Sequence, residues 1–97
     1  DEWLISNRNA TYLLKVIGDS MCEAGVLEGD TVILDRSLIP KPGDMVVAES
    51  DGGWTIKYLR QKTGKYYLEA ANSNYPDLYP KEELKIAGVV TGLVRKF

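Results

Sequence analysis

Glycine, proline and asparagine recur at short intervals along this chain and divide it into segments of only a few residues each. Segments of that length, when rich in β-branched and aromatic residues, are typical of the strands of an all-β domain. Six such segments predict strands, at Thr11–Ile17, Thr31–Leu34, Asp44–Glu49, Trp54–Leu59, Tyr66–Ala70 and Ile86–Val94. We therefore expect a mainly β fold, built as a small twisted sheet.

Turn signals agree with this pattern and add short helical pieces. Asp51-Gly52-Gly53 and Thr63-Gly64-Lys65 each stand between two predicted strands, and both predict tight hairpin turns. One short helical turn is predicted at Met21–Gly25. A second is predicted at Pro80–Leu84, where proline suits the first helical position and acidic residues suit the first turn.

The composition favours one compact domain and argues against several kinds of partner. The 97 residues suit a single domain over positions 1–97. A formal net charge of −2 gives no reason for this domain to bind nucleic acid directly. No apolar run approaches the ~20 residues that span a bilayer, so no membrane attachment is predicted. The single cysteine, Cys22, allows no internal disulfide and favours a reducing, cytoplasmic location.

The chain contains no histidine. This removes the usual catalytic base and the commonest transition-metal ligand at once. We expect neither a Ser-His-Asp triad nor a bound metal or other cofactor. Cys22 has no histidine to activate it and is interpreted as a buried structural thiol.

Ser20 directly follows the first predicted strand, within Gly18-Asp19-Ser20-Met21. Glycine there lets the backbone bend, so that the serine hydroxyl and backbone N–H groups could face a substrate carbonyl. A serine beside glycine is more often a turn or cap residue, and its hydroxyl needs a base to become a nucleophile. The tetrapeptide alone therefore leaves the role of Ser20 open.

With no histidine, the remaining candidates for a base are lysines and carboxylates. A lysine serves only when apolar surroundings, without a carboxylate partner, lower its pKa from ~10.4 towards the working pH. Lys57 lies in the largely apolar Trp54–Leu59, although strand alternation favours a solvated face for it. Lys15 competes in the similar segment Leu13–Ile17. Periodicity does not choose between the two lysines.

Five blocks of sequence, taken in order, carry a resemblance to a known family. The blocks are Val16–Met21 with Gly25–Asp35, Pro42–Ala48, Trp54–Leu59, Asn72–Pro76 and Ile86–Val94. Together they resemble the LexA/UmuD-like serine peptidases, the S24 family, over nearly the whole chain. The resemblance implies a coiled β-sheet of the LexA/signal-peptidase type, with Ser20 as nucleophile and Lys57 as general base. It also implies an oxyanion hole formed by the backbone N–H groups of Asp19 and Ser20.

The side chain of Asp19 is interpreted differently from its backbone. A carboxylate close to Lys57 would keep that lysine charged and oppose its action as a base. We therefore interpret the Asp19 side chain as part of a turn.

The opening of the chain, from Trp3–Ile5 to Ala10–Lys15, is similar to UmuD-type SOS mutagenesis proteins. That resemblance implies self-cleavage stimulated by a RecA filament. The cleaved form would then be a dimer that acts as an accessory protein of an error-prone DNA polymerase subunit. The apolar strand Ile86–Val94 predicts a homodimer contact, because an open edge of that kind would be hazardous. The alternative is the C-terminal autocleavage and dimerisation domain of a LexA- or phage-type repressor. A signal-peptidase relative is disfavoured by the lack of a membrane segment.

Members of this family cut themselves at an Ala-Gly or Cys-Gly bond some tens of residues before the serine. Only 19 residues precede Ser20, and they contain no such pair. The expectation is a product-like or truncated core, without an N-terminal arm or DNA-binding part, that cleaves only in trans.

Overall fold

Six strands and one short helix make up the described part of the chain. The computed structural model describes residues 10–50, 53–80 and 84–96. The strands are β1 (Thr11–Lys15), β2 (Thr31–Asp35), β3 (Met45–Ser50), β4 (Gly53–Lys62), β5 (Lys65–Glu69) and β6 (Ile86–Val94). A single turn of 3-10 helix, Cys22–Ala24, follows β1. The predicted mainly β fold and the helical turn at Met21–Gly25 are confirmed.

The turns explain where the strands differ from their predicted bounds. At the end of β4, Lys62 pairs with Lys65 across Thr63 and Gly64, whose φ angles are +50° and +78°. Two positive φ angles in succession match the twist of a two-residue hairpin, so β4 and β5 extend up to this turn. The other predicted hairpin turn includes residues 51 and 52, which lie outside the described residues, as does most of the predicted helical turn Pro80–Leu84.

The strands form one antiparallel sheet in the order β1-β2-β6-β3-β4-β5. The sequence interpretation treated Ile86–Val94 as an open edge, and this was wrong for the first half of the strand. Residues 86–89 pair with β3, at Val46–Ala48, and residues 89–94 pair with β2. Residues 91–94 pair with β2 alone among the described strands, and Leu93 and Val94 there are exposed.

Two irregularities in β6 curve the sheet. The register shifts once against β2, between Ile33 and Leu34, and once against β3, between Val47 and Ala48. Extra residues of this kind bend a strand and increase its local twist. In this curved sheet, the end of β1 and the start of β4 line one cavity, although three strands separate them in the sheet order.

Two apolar clusters form the core. One joins β3 to its neighbours and contains Val46, Ala48, Leu59, Leu68 and Val89. The other lies where the chain leaves β1 and contains Val16, Met21, Val26 and Val32. The second cluster therefore supports the segment that carries Ser20. None of the helices in the described ranges is long and apolar enough to cross a membrane.

Candidate active site

Ser20 lies on a tight connection between β1 and the 3-10 helix. Gly18 takes a φ of +85°, a conformation that favours glycine, and its N–H donates to the Glu28 carboxylate at 3.1 Å. One residue after the serine, Met21 is only 2% exposed and packs into the second core cluster. The connection is therefore held from both sides, and Ser20 is presented at the protein surface in a half-buried position.

Lys57 reaches the same point from β4. Alternation along this strand places Thr55, Lys57 and Leu59 on one face, and Lys57 is buried at 5% exposure. Its Nζ donates to Ser20 Oγ at 3.0 Å and to Thr55 Oγ1 at 2.5 Å. Two residues that are 37 positions apart in sequence thus meet directly. The alternation predicted for this strand holds, but the face that carries Lys57 is the buried one.

The surroundings of Lys57 favour its neutral form. Burial lowers the pKa of Lys57 below its ordinary value, because the charged ammonium loses hydration there. The ion pairs among the described residues are Arg60 with Glu69 and Arg95 with Asp30, and neither includes Lys57. The amine therefore has two hydroxyl partners and, within the described residues, no carboxylate partner.

The other residues singled out from the sequence do not contact the Lys57 amine in the described structure. Lys15, the competing lysine, is exposed on the wall of the cavity. Cys22 is a free, half-buried thiol. The carboxylate of Asp19 accepts a hydrogen bond from the Tyr75 hydroxyl, which raises the pKa of Tyr75. Asp19 also accepts the Cys22 N–H at its backbone oxygen, at 3.1 Å, as a turn residue would.

The backbone N–H groups of Asp19 and Ser20 are available to a ligand. Neither donates a hydrogen bond to an acceptor within the described ranges. Both belong to the connection that holds the Ser20 hydroxyl. Two N–H donors beside the Ser20 hydroxyl can stabilise negative charge on a carbonyl oxygen by hydrogen bonding.

A cavity of about 400 Å³ opens beside Ser20. One wall is the segment from Leu14 to Gly18, and the other is formed by Trp54, Thr55 and Ile56. The rim is apolar and solvent-facing, since Ile17 is 88% exposed and Trp54 is 55% exposed. Its apolar walls suit apolar groups of a ligand better than polar ones.

Sequence reasoning assigned no role to two of the polar residues at the site. Thr55 stood out only as the other polar residue of an apolar strand, yet its hydroxyl is a direct partner of Lys57. Asn72 belonged to a block that carried the family resemblance. Its side chain is buried at 6% exposure and donates to the backbone oxygen of Asp19 at 3.0 Å.

No group of three or more histidine, cysteine, aspartate or glutamate side chains in the described ranges is placed to hold a metal ion.

A buried amine in contact with a serine, beside a cavity with apolar walls, agrees with the predicted family. The family described as Peptidase S24-like matches residues 1–91. The chain belongs to this family, and the resemblance inferred from the five sequence blocks is confirmed.

Individual relatives include two kinds of protein. The chain is 46% identical over 87 residues to Protein SamA of Salmonella typhimurium, covering 90% of this chain and 61% of the relative. It is 44% identical over 93 residues to the LexA repressor of Verrucomicrobium spinosum, covering 96% and 46%. It is 43% identical over 88 residues to the LexA repressor of Gluconacetobacter diazotrophicus, covering 89% and 35%. The chain thus spans less than two thirds of the length of these relatives.

Proposed function

We propose that this chain is a serine peptidase that works through a Ser–Lys dyad, with Ser20 as nucleophile and Lys57 as general base. The observation that carries the proposal is the 3.0 Å contact between Lys57 Nζ and Ser20 Oγ, made by a buried lysine. A lysine needs a lowered pKa to act as a base near neutral pH, and burial supplies it here.

In the proposed acylation, neutral Lys57 accepts the hydroxyl proton of Ser20 along their shared contact while Oγ attacks the scissile carbonyl carbon. The carbonyl oxygen becomes an oxyanion and accepts hydrogen bonds from the N–H groups of Asp19 and Ser20. Lys57, now an ammonium, gives its proton to the leaving amine as the C–N bond breaks. The acyl group remains on Ser20 Oγ. Thr55 Oγ1 keeps Lys57 Nζ next to Ser20 Oγ during these steps.

Deacylation repeats these steps with water in place of the serine. Neutral Lys57 takes a proton from a water molecule, whose oxygen attacks the ester carbon of the acyl-enzyme. The oxyanion again faces the N–H groups of Asp19 and Ser20. When the C–Oγ bond breaks, the proton returns from Lys57 to Ser20, which restores the dyad and releases the carboxylic acid product.

The proposed substrate is an extended polypeptide segment. β1 pairs with β2 alone among the described strands, and we place the segment along the other edge of residues 12–15, where it would form backbone hydrogen bonds. This edge leads directly to Ser20. The exposed Leu13 and Ile17 would contact alternate side chains of the segment. By family resemblance, the bond to be cut is an Ala-Gly or Cys-Gly bond.

The biological role that we propose is that of a UmuD-type SOS protein. The similarity of the chain to SamA is compatible with this role. The role includes self-cleavage stimulated by a RecA filament, a homodimer through residues 86–94, an error-prone polymerase subunit as partner, and a cytoplasmic location. The free side of residues 91–94 supports the dimer contact. The similarity to two LexA repressors supports the second candidate, the autocleavage and dimerisation domain of a repressor.

Trans-cleavage at rising pH tests the dyad. The substrate is a full-length S24-family protein whose own nucleophilic serine is replaced by alanine. We expect cleavage that increases with pH as Lys57 loses its proton, and no cleavage by Ser20→Ala or Lys57→Ala. Lys65→Ala is the matched control, since Lys65 is an exposed strand lysine that does not line the cavity, and this variant should cleave at the wild-type rate. Full activity in Lys57→Ala would refute the proposed base.

A further inference from the structure

Asn72 is a buried polar residue that the dyad does not use. Its Nδ2 donates to the backbone oxygen of Asp19 at 3.0 Å and lies 3.5 Å from Cys22 Sγ. Its Oδ1 accepts the N–H of Asn74 at 2.9 Å. Only the oxygen of the amide can accept from a backbone N–H, so this bond directs Nδ2 towards Asp19. Every polar atom of the side chain is therefore engaged, and its orientation is determined.

The oxygen that Asn72 binds belongs to the peptide that links Asp19 to Ser20. A trans peptide is planar, with its C=O and N–H pointing in opposite directions. The Asp19 oxygen accepts two hydrogen bonds, from Asn72 Nδ2 and from the Cys22 N–H at 3.1 Å. Holding the oxygen on one side therefore directs the Ser20 N–H to the other. That N–H has no acceptor within the described ranges.

From this geometry we propose that Asn72 is a positioning residue, which orients the Ser20 N–H towards the substrate carbonyl oxygen. The inference rests on the proposed peptidase function. A donor that is already aligned stabilises the oxyanion without reorganisation when the charge appears. The Cys22 N–H alone is a weaker restraint, because it belongs to the same short turn and moves with it. Asn72 anchors the peptide to a loop that is 53 residues away in sequence.

The proposal is tested by kinetics of Asn72→Asp and Asn72→Ala with a peptide that contains an Ala-Gly bond. Both variants lose the donor, and the first keeps the shape of the side chain. We expect kcat to fall by about ten- to a hundredfold, less than the ~10²–10³ loss from deleting an oxyanion donor itself. KM should stay within about twofold, because the N–H acts on the transition state. In Asn72→Ala the pH midpoint of kcat should not move, since this variant introduces no charge near Lys57.

Tyr75→Phe is the matched control. It removes a hydrogen bond from the same loop to the same residue, but to the Asp19 carboxylate and not to its backbone oxygen. We expect wild-type kcat and KM from it. If Asn72→Asp and Tyr75→Phe reduce kcat equally, Asn72 acts only by holding the loop in place, and the positioning role is wrong.

A second measurement does not depend on activity. The ¹³C shift of the Asp19 carbonyl and the ¹⁵N shift of the Ser20 amide report the orientation of their shared peptide. Both should change in the Asn72 variants while the signals of the core strands stay in place. Unchanged shifts, or loss of the core signals together with activity, would overturn the inference. Wild-type chain that fails to cleave would instead refute the proposed function, and cleavage with normal kcat in Asn72→Asp would refute only the inference.

Discussion

Replacing Lys57 by methionine should change the free energy of unfolding in a pH-dependent way. The difference between the variant and the wild type should favour the variant more at neutral pH than at high pH. Burial lowers the pKa of Lys57 in the folded state below its ordinary value of 10.5. Between the folded pKa and 10.5, the unfolded chain binds more protons at this site than the folded chain does. The wild-type free energy of unfolding therefore rises with pH across that interval. The methionine variant lacks this dependence.

The size of the effect follows from the number of protons involved. One group can change the free energy of unfolding by at most about 1.4 kcal/mol per pH unit, and each unit of pKa lowering contributes the same amount in total. Removing the amine also deletes its hydrogen bonds to Ser20 and Thr55. That loss costs about 0.5–1.5 kcal/mol per bond and is independent of pH. The pH-dependent part can therefore be separated from it.

The assay is urea unfolding of the wild type and Lys57→Met at a series of pH values up to about 10.5. Subtracting the two curves removes the titration of groups common to both proteins. The free energy of unfolding of the variant minus that of the wild type should be largest at low pH. It should decline over the pH interval in which cleavage activity rises. A flat difference for Lys57→Met would show that the folded state does not perturb this lysine, and the proposed base would lose its physical basis.

Two further predictions concern the sheet and its C-terminal end. Gly88→Ala should destabilise the fold by about 1–3 kcal/mol in urea unfolding, because its Cβ would lie 2.1 Å from a side-chain carbon and 3.1 Å from a backbone oxygen of β2. Gly92→Ala, whose nearest contact is 3.3 Å, is the control and should cost less; an equal cost would contradict the steric argument. Arg95→Met should destabilise the fold at neutral pH, because hydrogen bonds from Arg95, and secondly from the Leu27 N–H, lower the pKa of buried Asp30 from 3.8 to about 2. That loss should be complete above pH 3.8 and disappear as the pH falls through about 2, whereas a loss that persists at lower pH would indicate a packing effect.

The strands were predictable because their signals are local. Runs of β-branched and aromatic residues, separated by glycine-containing turns, mark them directly in the sequence. The central position of β6 was not predictable in this way. Strand order depends on which strands meet after the chain folds. The last strand of a chain can lie at the edge of a sheet or at its centre.

For the candidate site, too, local features were predictable from the sequence and long-range contacts were not. Alternation in β4 correctly separates Trp54 and Ile56 from Lys57, but it cannot say which face is buried, because that depends on the curvature of the whole sheet. The family resemblance favoured Lys57, and the structure brings it to Ser20. The contacts of Thr55 and Asn72 had no local signal. Asn72 meets Asp19 across 53 residues, a separation at which only the folded chain reveals the pairing.

The central position of β6 also decides when the reacting groups can meet during synthesis. Ser20 follows the β1–β2 half of the sheet and Lys57 belongs to the β3–β4–β5 half, and β6 is the strand that pairs with both halves. On the ribosome, β6 is the last of these strands to emerge. Both side chains are translated long before β6, so the sheet that holds the proposed dyad is complete only after that strand has emerged.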